Sequence, residues 1–410
     1  MTSCDQVPLG EVCTVNPRAA THAAADDTPV TFVPMAAVDS RTGTISVREE
    51  RRLAEVSKGF TAFEEGDVLF AKITPCMQNG KAVIARRLKN GIGRGSTEFY
   101  VLRPGPRILG EYVWHFVRQP RFREAAKRSF TGTAGQQRVP RSFMENASIA
   151  LPPLDEQRRI VDILNRAARI ETLRRRAAER LREFVPALFV KMFGDPVENP
   201  MGWEVRPLSD LAQEFRYGTS RKCYDAADSD DALPVLRIPN VLRGAVDWTN
   251  LKFTSLRGDE RKNLKLARGD ILFVRTNGNP EYIGRCAVFS ECREAAYASY
   301  LIRARLKDVE AVDPEYVSAG LALPTMRQIL MRLTRTTAGN YNISIDLLGR
   351  IQIPVPEWGL QQKFCAIVAL ARETLNTIEN TLTSLDLSDS LTSHLLGDGR
   401  RPSRGEGRRP

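Results

Sequence analysis

The chain has 410 residues, 42% of them hydrophobic and 27% charged, and it carries a formal net charge of +11. That content allows two to four packed domains, and the cationic excess suits a polyanion such as nucleic acid, where neutralised phosphates supply the general affinity term. The sequence has no apolar run long enough to span a bilayer, and its start, Met1-Thr2-Ser3-Cys4-Asp5, lacks the basic and apolar regions of a secretory signal, so a cytoplasmic location away from membranes is expected.

Residues 1–153 are expected to form a first domain of mixed α/β class. Its β-prone runs include Val68-Leu69-Phe70 and Phe99-Tyr100-Val101-Leu102, a single short helix is expected over 111–127, and a proline-bearing strand closes it at Ile149–Pro153. Residues 154–193 follow as a first long helix. Its apolar stripe is Ile163, Ala167, Ile170, Ala177, Leu181, Phe184 and Leu188, with a kink or break expected at Pro186. Glycine and proline mark 194–203 as a linker. A second α/β domain is expected over 204–357, with strands at Ile271–Val274 and Tyr300–Ile302, a helix over 315–332 and a closing strand at Ile351–Pro356. Residues 358–396 form a second long helix, in which Phe364, Val368, Ala371, Leu375, Ile378, Leu382 and Leu385 keep unbroken heptad spacing. Such spacing asks for a partner helix, and a 39-residue helix would run roughly 58 Å at 1.5 Å per residue. Residues 397–410 form a basic tail without expected structure.

The two halves repeat at a spacing of about 204 residues. GDVLF at 66–70 returns as GDILF at 269–273, and Gly80-Lys81 as Gly284-Arg285. GEYVWHFVRQPRFREAA (110–126) aligns with PEYVSAGLALPTMRQIL (314–330), and Thr133-Ala134-Gly135 returns as Thr337-Ala338-Gly339. IALPPLDEQRRI (149–160) matches IPVPEWGLQQKF (353–364), where Gly359-Leu360 replaces Asp155-Glu156. The order and register of these pairs point to an internal duplication: domain, helix, domain, helix.

Three further stretches carry a family signature: Leu151–Ile160 opening the first helix, Lys191-Met192-Phe193-Gly194-Asp195-Pro196, and Asn199-Pro200-Met201-Gly202-Trp203. With the GD(V/I)LF pair they resemble the specificity subunit of type I restriction–modification enzymes, over nearly the whole chain. The resemblance implies two similar α/β target recognition domains, each reading one half of a split double-stranded DNA sequence. It implies that the long helices form an antiparallel coiled coil between them, with pseudo-twofold symmetry. Two methyltransferase subunits would dock on this chain, and motor-nuclease subunits would join the assembled complex. No catalytic, cofactor or metal site is then expected here; S-adenosylmethionine, ATP and magnesium belong to the partner subunits.

Candidate DNA contacts follow from residue chemistry, since asparagine and glutamine can pair with adenine and arginine with guanine in the major groove. After the first GD strand come Lys72, Thr74, Gln78, Asn79 and Lys81; after its twin come Arg275, Thr276, Asn277, Asn279 and Arg285. Gln136, Gln137 and Arg138 follow one TAG triplet, and Asn340, Tyr341 and Asn342 the other. Each of these residues taken singly is equally well a solvated loop polar.

Catalytic motifs are weak. Asn279-Pro280-Glu281-Tyr282 departs from the motif that holds a flipped adenine, no GxxxxGK[ST] loop exists, and Asp225, Asp228, Asp230 and Asp231 read as an acidic surface loop. Seven scattered cysteines without a CxxC pair, and three distant histidines, suggest neither a disulfide framework nor a metal site. Two other readings stay open at this point: a two-domain scaffold that does not bind DNA, and a self-contained methyltransferase or nuclease.

Overall fold

The computed structural model describes residues 5–18, 24–133, 136–227, 229, 231–242, 244–307, 311–337, 339–383, 391–392 and 394–396. The chain divides into two compact units, Met1–Arg174 with Thr381–Pro410, and Arg175–Asn380. The 397–410 tail, Leu385, Ala134, Gly135, Ala338, His22, Asp228 and Asp230 lie outside the described residues.

The first unit runs through β1 (Gln6–Pro8), α1 (Leu9–Val12), β2 (Cys13–Val15), β3 (Pro29–Val33), β4 (Glu49–Arg52), α2 (Leu53–Val56), β5 (Thr61–Glu64), β6 (Val68–Ala71), β7 (Ala82–Ile84), β8 (Ile92–Gly95), β9 (Phe99–Pro104), α3 (Gly110–Arg118), α4 (Pro120–Arg128), α5 (Arg141–Asn146) and β10 (Ser148–Ala150) into α6 (Leu154–Phe193). The second runs through β11 (Glu204–Pro207), α7 (Leu208–Leu211), β12 (Ala212–Tyr217), β13 (Ala232–Leu236), β14 (Lys252–Ser255), α8 (Gly258–Leu264), β15 (Ile271–Val274), β16 (Thr276–Asn277), β17 (Cys286–Val288), β18 (Ala296–Tyr297), β19 (Leu301–Leu306), α9 (Pro314–Leu321), α10 (Pro324–Arg332), β20 (Arg335–Thr337), β21 (Asn340–Asn342), α11 (Ile345–Gly349) and β22 (Gln352–Val355) into α12 (Trp358–Thr383). Sheet order β2-β9-β6-β7 in one unit is matched by β12-β19-β15-β17 in the other. The parallel pair β3–β8 is matched by β13–β18, and the closing pair β1–β10 by β11–β22. The duplication in sequence is a duplication of topology.

The GD(V/I)LF repeat is a structural joint. Gly66 and Gly269 sit at φ +89° and +91°, a left-handed turn conformation that L side chains adopt only under strain. Asp67 and Asp270, each 1% exposed, then accept the Glu64 and Ala267 N–H groups at 2.8 and 2.7 Å. Their oxygens also take paired hydrogen bonds from Arg103 (2.8 and 2.8 Å) and Arg305 (2.7 and 2.7 Å) on the neighbouring strands β9 and β19. The apolar residues that follow are buried on both faces: Val68 and Phe70 enter one core and Leu69 another, and Ile271 and Phe273 part from Leu272 and Val274 in the same way.

A second joint ties each domain to its long helix. Gln157, fully buried, accepts the Leu109 N–H at 2.9 Å and donates to the carbonyls of Arg107 and Pro152 at 2.9 and 2.8 Å. Gln361 repeats this on Asp313 N, Ala311 O and Pro356 O at 2.9, 3.1 and 2.7 Å. The second copy thus keeps the residue that matters despite Gly359-Leu360. Tyr112 and Tyr316 donate their hydroxyls to Ala150 O and Pro354 O at 3.0 and 2.9 Å, fixing the same corner.

The single helices expected over 111–127 and 315–332 are each two helices. Pro120 and Pro324 stand at the first position of α4 and α10, and they hold Gln119 and Leu323 extended, at ψ 138° and 147°. Conversely, α6 continues through Pro186. The aromatic cluster beyond it, Phe189 and Phe193 against Tyr316 and Phe364 with ring centroids 4.9–5.5 Å apart, holds the helix in place. The 194–203 linker is ordered too: Trp203 donates its indole N–H to Phe193 O at 3.0 Å and caps the end of α6.

Within the second unit, Phe364 meets Phe189 and Phe193 while Glu379 pairs with Arg182 at 2.5 Å, so α6 and α12 run antiparallel over this stretch. Ala167, Phe364, Val368 and Ala371 are buried as expected, and Ile163, Ala177, Leu181, Leu188, Leu375 and Ile378 are half-buried. Ile170 and Phe184 correct the expectation: they are 44% and 41% exposed. A strict seven-residue pattern drifts by about 20° per heptad on a straight helix, so the packed face moves to Leu164, Ala178, Phe189 and Phe193. Leu382 lies within α12 but its side chain is outside the described residues. In the first unit α6 adds Ile160, Val161 and Leu164 to the core beside Leu396, whose carbonyl accepts from Arg121 at 2.7 Å.

Two stability predictions follow from these joints. Gln157→Leu keeps the bulk but strands three hydrogen-bonding partners, and we expect the first unit to lose about 1–3 kcal/mol, read as a lower urea midpoint at unchanged slope; Gln361→Leu should do the same to the second unit. The other concerns His115, buried on α3 with its Nε2 3.1 Å from Asn165 Oδ1, where burial pushes the imidazole pKa down to about 4. The unfolded chain, with an ordinary histidine pKa of about 6.5, takes up the proton first, so this contribution is intact above that pH and lost as pH falls towards 4, by roughly 3 kcal/mol in total. Melting of the His115→Gln variant should fall less steeply between pH 6.5 and 4.5 than melting of the unaltered protein.

Candidate nucleic-acid interface

Each unit brings its two predicted polar loops together beside the exit of the GD strand. In the first, Ile73 bridges Arg138, the Thr74 N–H donates to Gln137 O at 3.0 Å, and Val139 N donates to Lys72 O at 2.9 Å. In the second, β16 pairs with β21, Thr276 opposite Asn342 and Asn277 opposite Tyr341, and Ile343 N donates to Arg275 O at 3.0 Å. A third segment completes both ledges: Lys72 N donates to Glu98 O, and Arg275 N to Tyr300 O, each at 2.9 Å. Sequence reasoning missed Glu98 and Tyr300. Their residue types differ, and it is the matching register of β9 on β6 and of β19 on β15 that makes them equivalent.

The predicted residues serve unequal roles. Asn79, Gln136, Asn279 and Asn340 are exposed. Lys72 lies over the Tyr100 ring at 5.5 Å, and Thr74 donates its hydroxyl to Gln78 at 2.5 Å, while Gln78 O accepts from Arg123 at 2.8 Å. Lys81 is turned away: its ammonium donates to Met35 O at 2.8 Å. Gln137 is half-buried and acts through its carbonyl. Arg138 donates to both oxygens of Glu98 at 2.8–3.2 Å, and this, with Lys72 nearby, holds the Glu98 carboxyl below the usual carboxylate range.

In the second unit Arg275 stacks over Tyr217 at 4.5 Å and donates to Ser299 O at 3.3 Å. Asn277 and Asn279 accept N–H groups two residues on, at 2.8 and 3.0 Å, so Asn279-Pro280-Glu281-Tyr282 is a capped turn. Arg285 lies over Tyr282 at 4.1 Å. Tyr341 packs against the core, and Asn342 donates to Asn340 O at 3.1 Å. Of the acidic loop, Asp225 pairs with Lys252 and Asp231 with Arg261. Among the described residues no group of three His, Cys, Asp or Glu side chains is placed to hold a metal ion, and no helix is long and apolar enough to cross a membrane.

Residues 3–180 match the family profile described as type I restriction modification DNA specificity domain. The likeness extends to individual proteins. The chain is 42% identical over 156 residues to the type I restriction enzyme EcoEI specificity subunit of Escherichia coli, covering 38% of this chain and 26% of that one. It is 27% identical over 326 residues to the EcoKI specificity subunit of E. coli K12, covering 73% of this chain and 68% of the relative. In its matches to EcoEI and the similar EcoAI subunit the chain spans about a quarter of the relative's length. Among solved structures it shares the fold of a type I restriction–modification S subunit from M. genitalium, with a TM-score of 0.59, 14% identity and 98% of both chains covered. It also shares the fold of a chain solved in work on assembly and conformational transition of the type I system, at 0.58 and 19%, covering 97% and 99%. The resemblance drawn from the sequence therefore holds, and the fold agrees with it.

Proposed function

We propose that this chain is the DNA-reading subunit of a type I restriction–modification complex, each unit reading one half of a split duplex target. The observation that carries the reading is the ledge built twice. The same backbone hydrogen bonds present Lys72, Glu98 and Arg138 in one unit and Arg275, Tyr300 and Asn342 in the other. One scaffold with two chemistries is what two different half-sites require, because the major groove presents a distinct donor and acceptor pattern for each base pair. Modification and cleavage would reside in partner subunits carrying S-adenosylmethionine, ATP and magnesium, so the chain itself would be non-catalytic and would work in the cytoplasm. Two methyltransferase subunits would dock along the long helices, where Leu173 on α6 and Leu370 on α12 are 54% and 65% exposed. Motor-nuclease subunits would join through that assembly.

The deciding experiment maps methylation in cells carrying this chain with its co-encoded methyltransferase. A bipartite motif is expected. Exchanging residues 60–140 should change one half only, and exchanging 263–345 the other. Adding one heptad to both helices should alter the gap, by about 10.5 Å of helix, and leave both halves intact. A single unsplit motif, or both halves changing together, would overturn the reading. For docking, Leu370→Glu should shift stability by no more than about 0.5 kcal/mol, as at most surface positions, yet weaken methyltransferase binding at least tenfold by calorimetry.

A further inference from the structure

Positions 72, 98 and 138 of the first unit and 275, 300 and 342 of the second occupy the same three places. The N–H of residue 72 or 275 donates to the carbonyl of 98 or 300, and its own carbonyl accepts from the residue after 138 or 342. The side chains hung there differ in charge. Lys72, Glu98 and Arg138 alternate in sign, and Glu98 binds Arg138 through both oxygens. Arg275, Tyr300 and Asn342 include no anion. Arg275 is instead oriented by stacking on Tyr217 and by the Ser299 carbonyl. Tyr217 can lie there because Gly218 lets the end of β12 approach the 297–299 backbone; a Cβ on Gly218 would stand 2.2 Å from Tyr297 O. Tyr300, whose backbone carbonyl accepts from this arginine's N–H, is 55% exposed.

Resting on the reading that these ledges face DNA, we propose that Arg275, Tyr217 and Tyr300 form the specificity-determining contact of the second unit. Arg275 reads a guanine and Tyr300 lays an aromatic face on the adjoining base or its methyl group. A guanidinium fork held by a stacked ring and a carbonyl loses little freedom on pairing with guanine O6 and N7. An exposed ring next to it suits a thymine methyl or a base edge. In the first unit Glu98 takes the place of Tyr300 and binds Arg138, so that ledge presents a carboxylate, a natural acceptor for the cytosine amino group.

The test uses the full chain assembled with its methyltransferase, with methylation mapping and binding to the mapped duplex as readouts. Arg275→Lys keeps the charge and loses the fork; it should relax one guanine position of the second unit's half-site by about tenfold or more, with the salt dependence of binding unchanged. Tyr300→Ala should weaken binding to the cognate duplex by about tenfold and leave the other half-site intact. Thermal melts of both variants check the fold, and Tyr300→Phe, which keeps the ring, should bind as the unaltered chain does. Unchanged motif and affinity in Arg275→Lys and Tyr300→Ala, with the unaltered chain directing methylation at a split site, would overturn this assignment alone. Absence of a split site in the unaltered chain would instead remove the reading on which it rests.

Discussion

A carboxylate placed at the start of a buried strand must be neutralised where it stands, and this requirement organises both units. Asp67 and Asp270 meet it with a turn N–H on one side and a paired arginine on the other. The arginine comes from the strand alongside, so the pair locks the register of β6 on β9 and of β15 on β19. Register determines which residues emerge together at the strand ends. Lys72 therefore stands beside Glu98, and Arg275 beside Tyr300. Removing one partner of such a pair would leave an uncompensated buried charge, which commonly costs about 3–5 kcal/mol.

Some of the chain's arginines are structural. Arg103, Arg305 and Arg372 are engaged by Asp67, Asp270 and Glu315, and Arg138 by Glu98. Arg303 is 1% exposed, where it donates to Glu214 and to Asn263 O at 3.0 Å. These cations hold strands and loops in place. On the ledges, what each cation can offer an anionic partner depends on what stands next to it. Glu98 and Tyr300 differ in this way at one and the same backbone position.

The duplication, the long helices and the polar loops were legible in the sequence because each leaves a local or periodic mark. What stayed hidden depends on three-dimensional register. Pro120 and Pro324 lie within apolar patterns that read as single helices, and only the extended residue before each shows the break. Phe184 fits the heptad and Phe189 does not, but a real helix turns at 3.6 residues and buries Phe189. Tyr217 and Tyr300 are ordinary strand-end residues by type, and they become partners of Arg275 only through sheet pairing. The repeated motifs themselves proved to be joints: Asp67, Gln157 and Tyr112 and their counterparts bind the framework, whereas the chemistry of the ledges lies in residues that do not repeat.

One packing relation bears on how the chain comes off the ribosome. Leu396 is 2% exposed in the core of the first unit, with Leu391 and Leu395 packed against it. The rest of that core comes from residues 7–164, which are made long before. During synthesis the first unit must wait, with an apolar patch uncovered, while the whole second unit is translated. The first unit's core, unlike that of an ordinary N-terminal domain, is completed by residues made after the whole of the second unit.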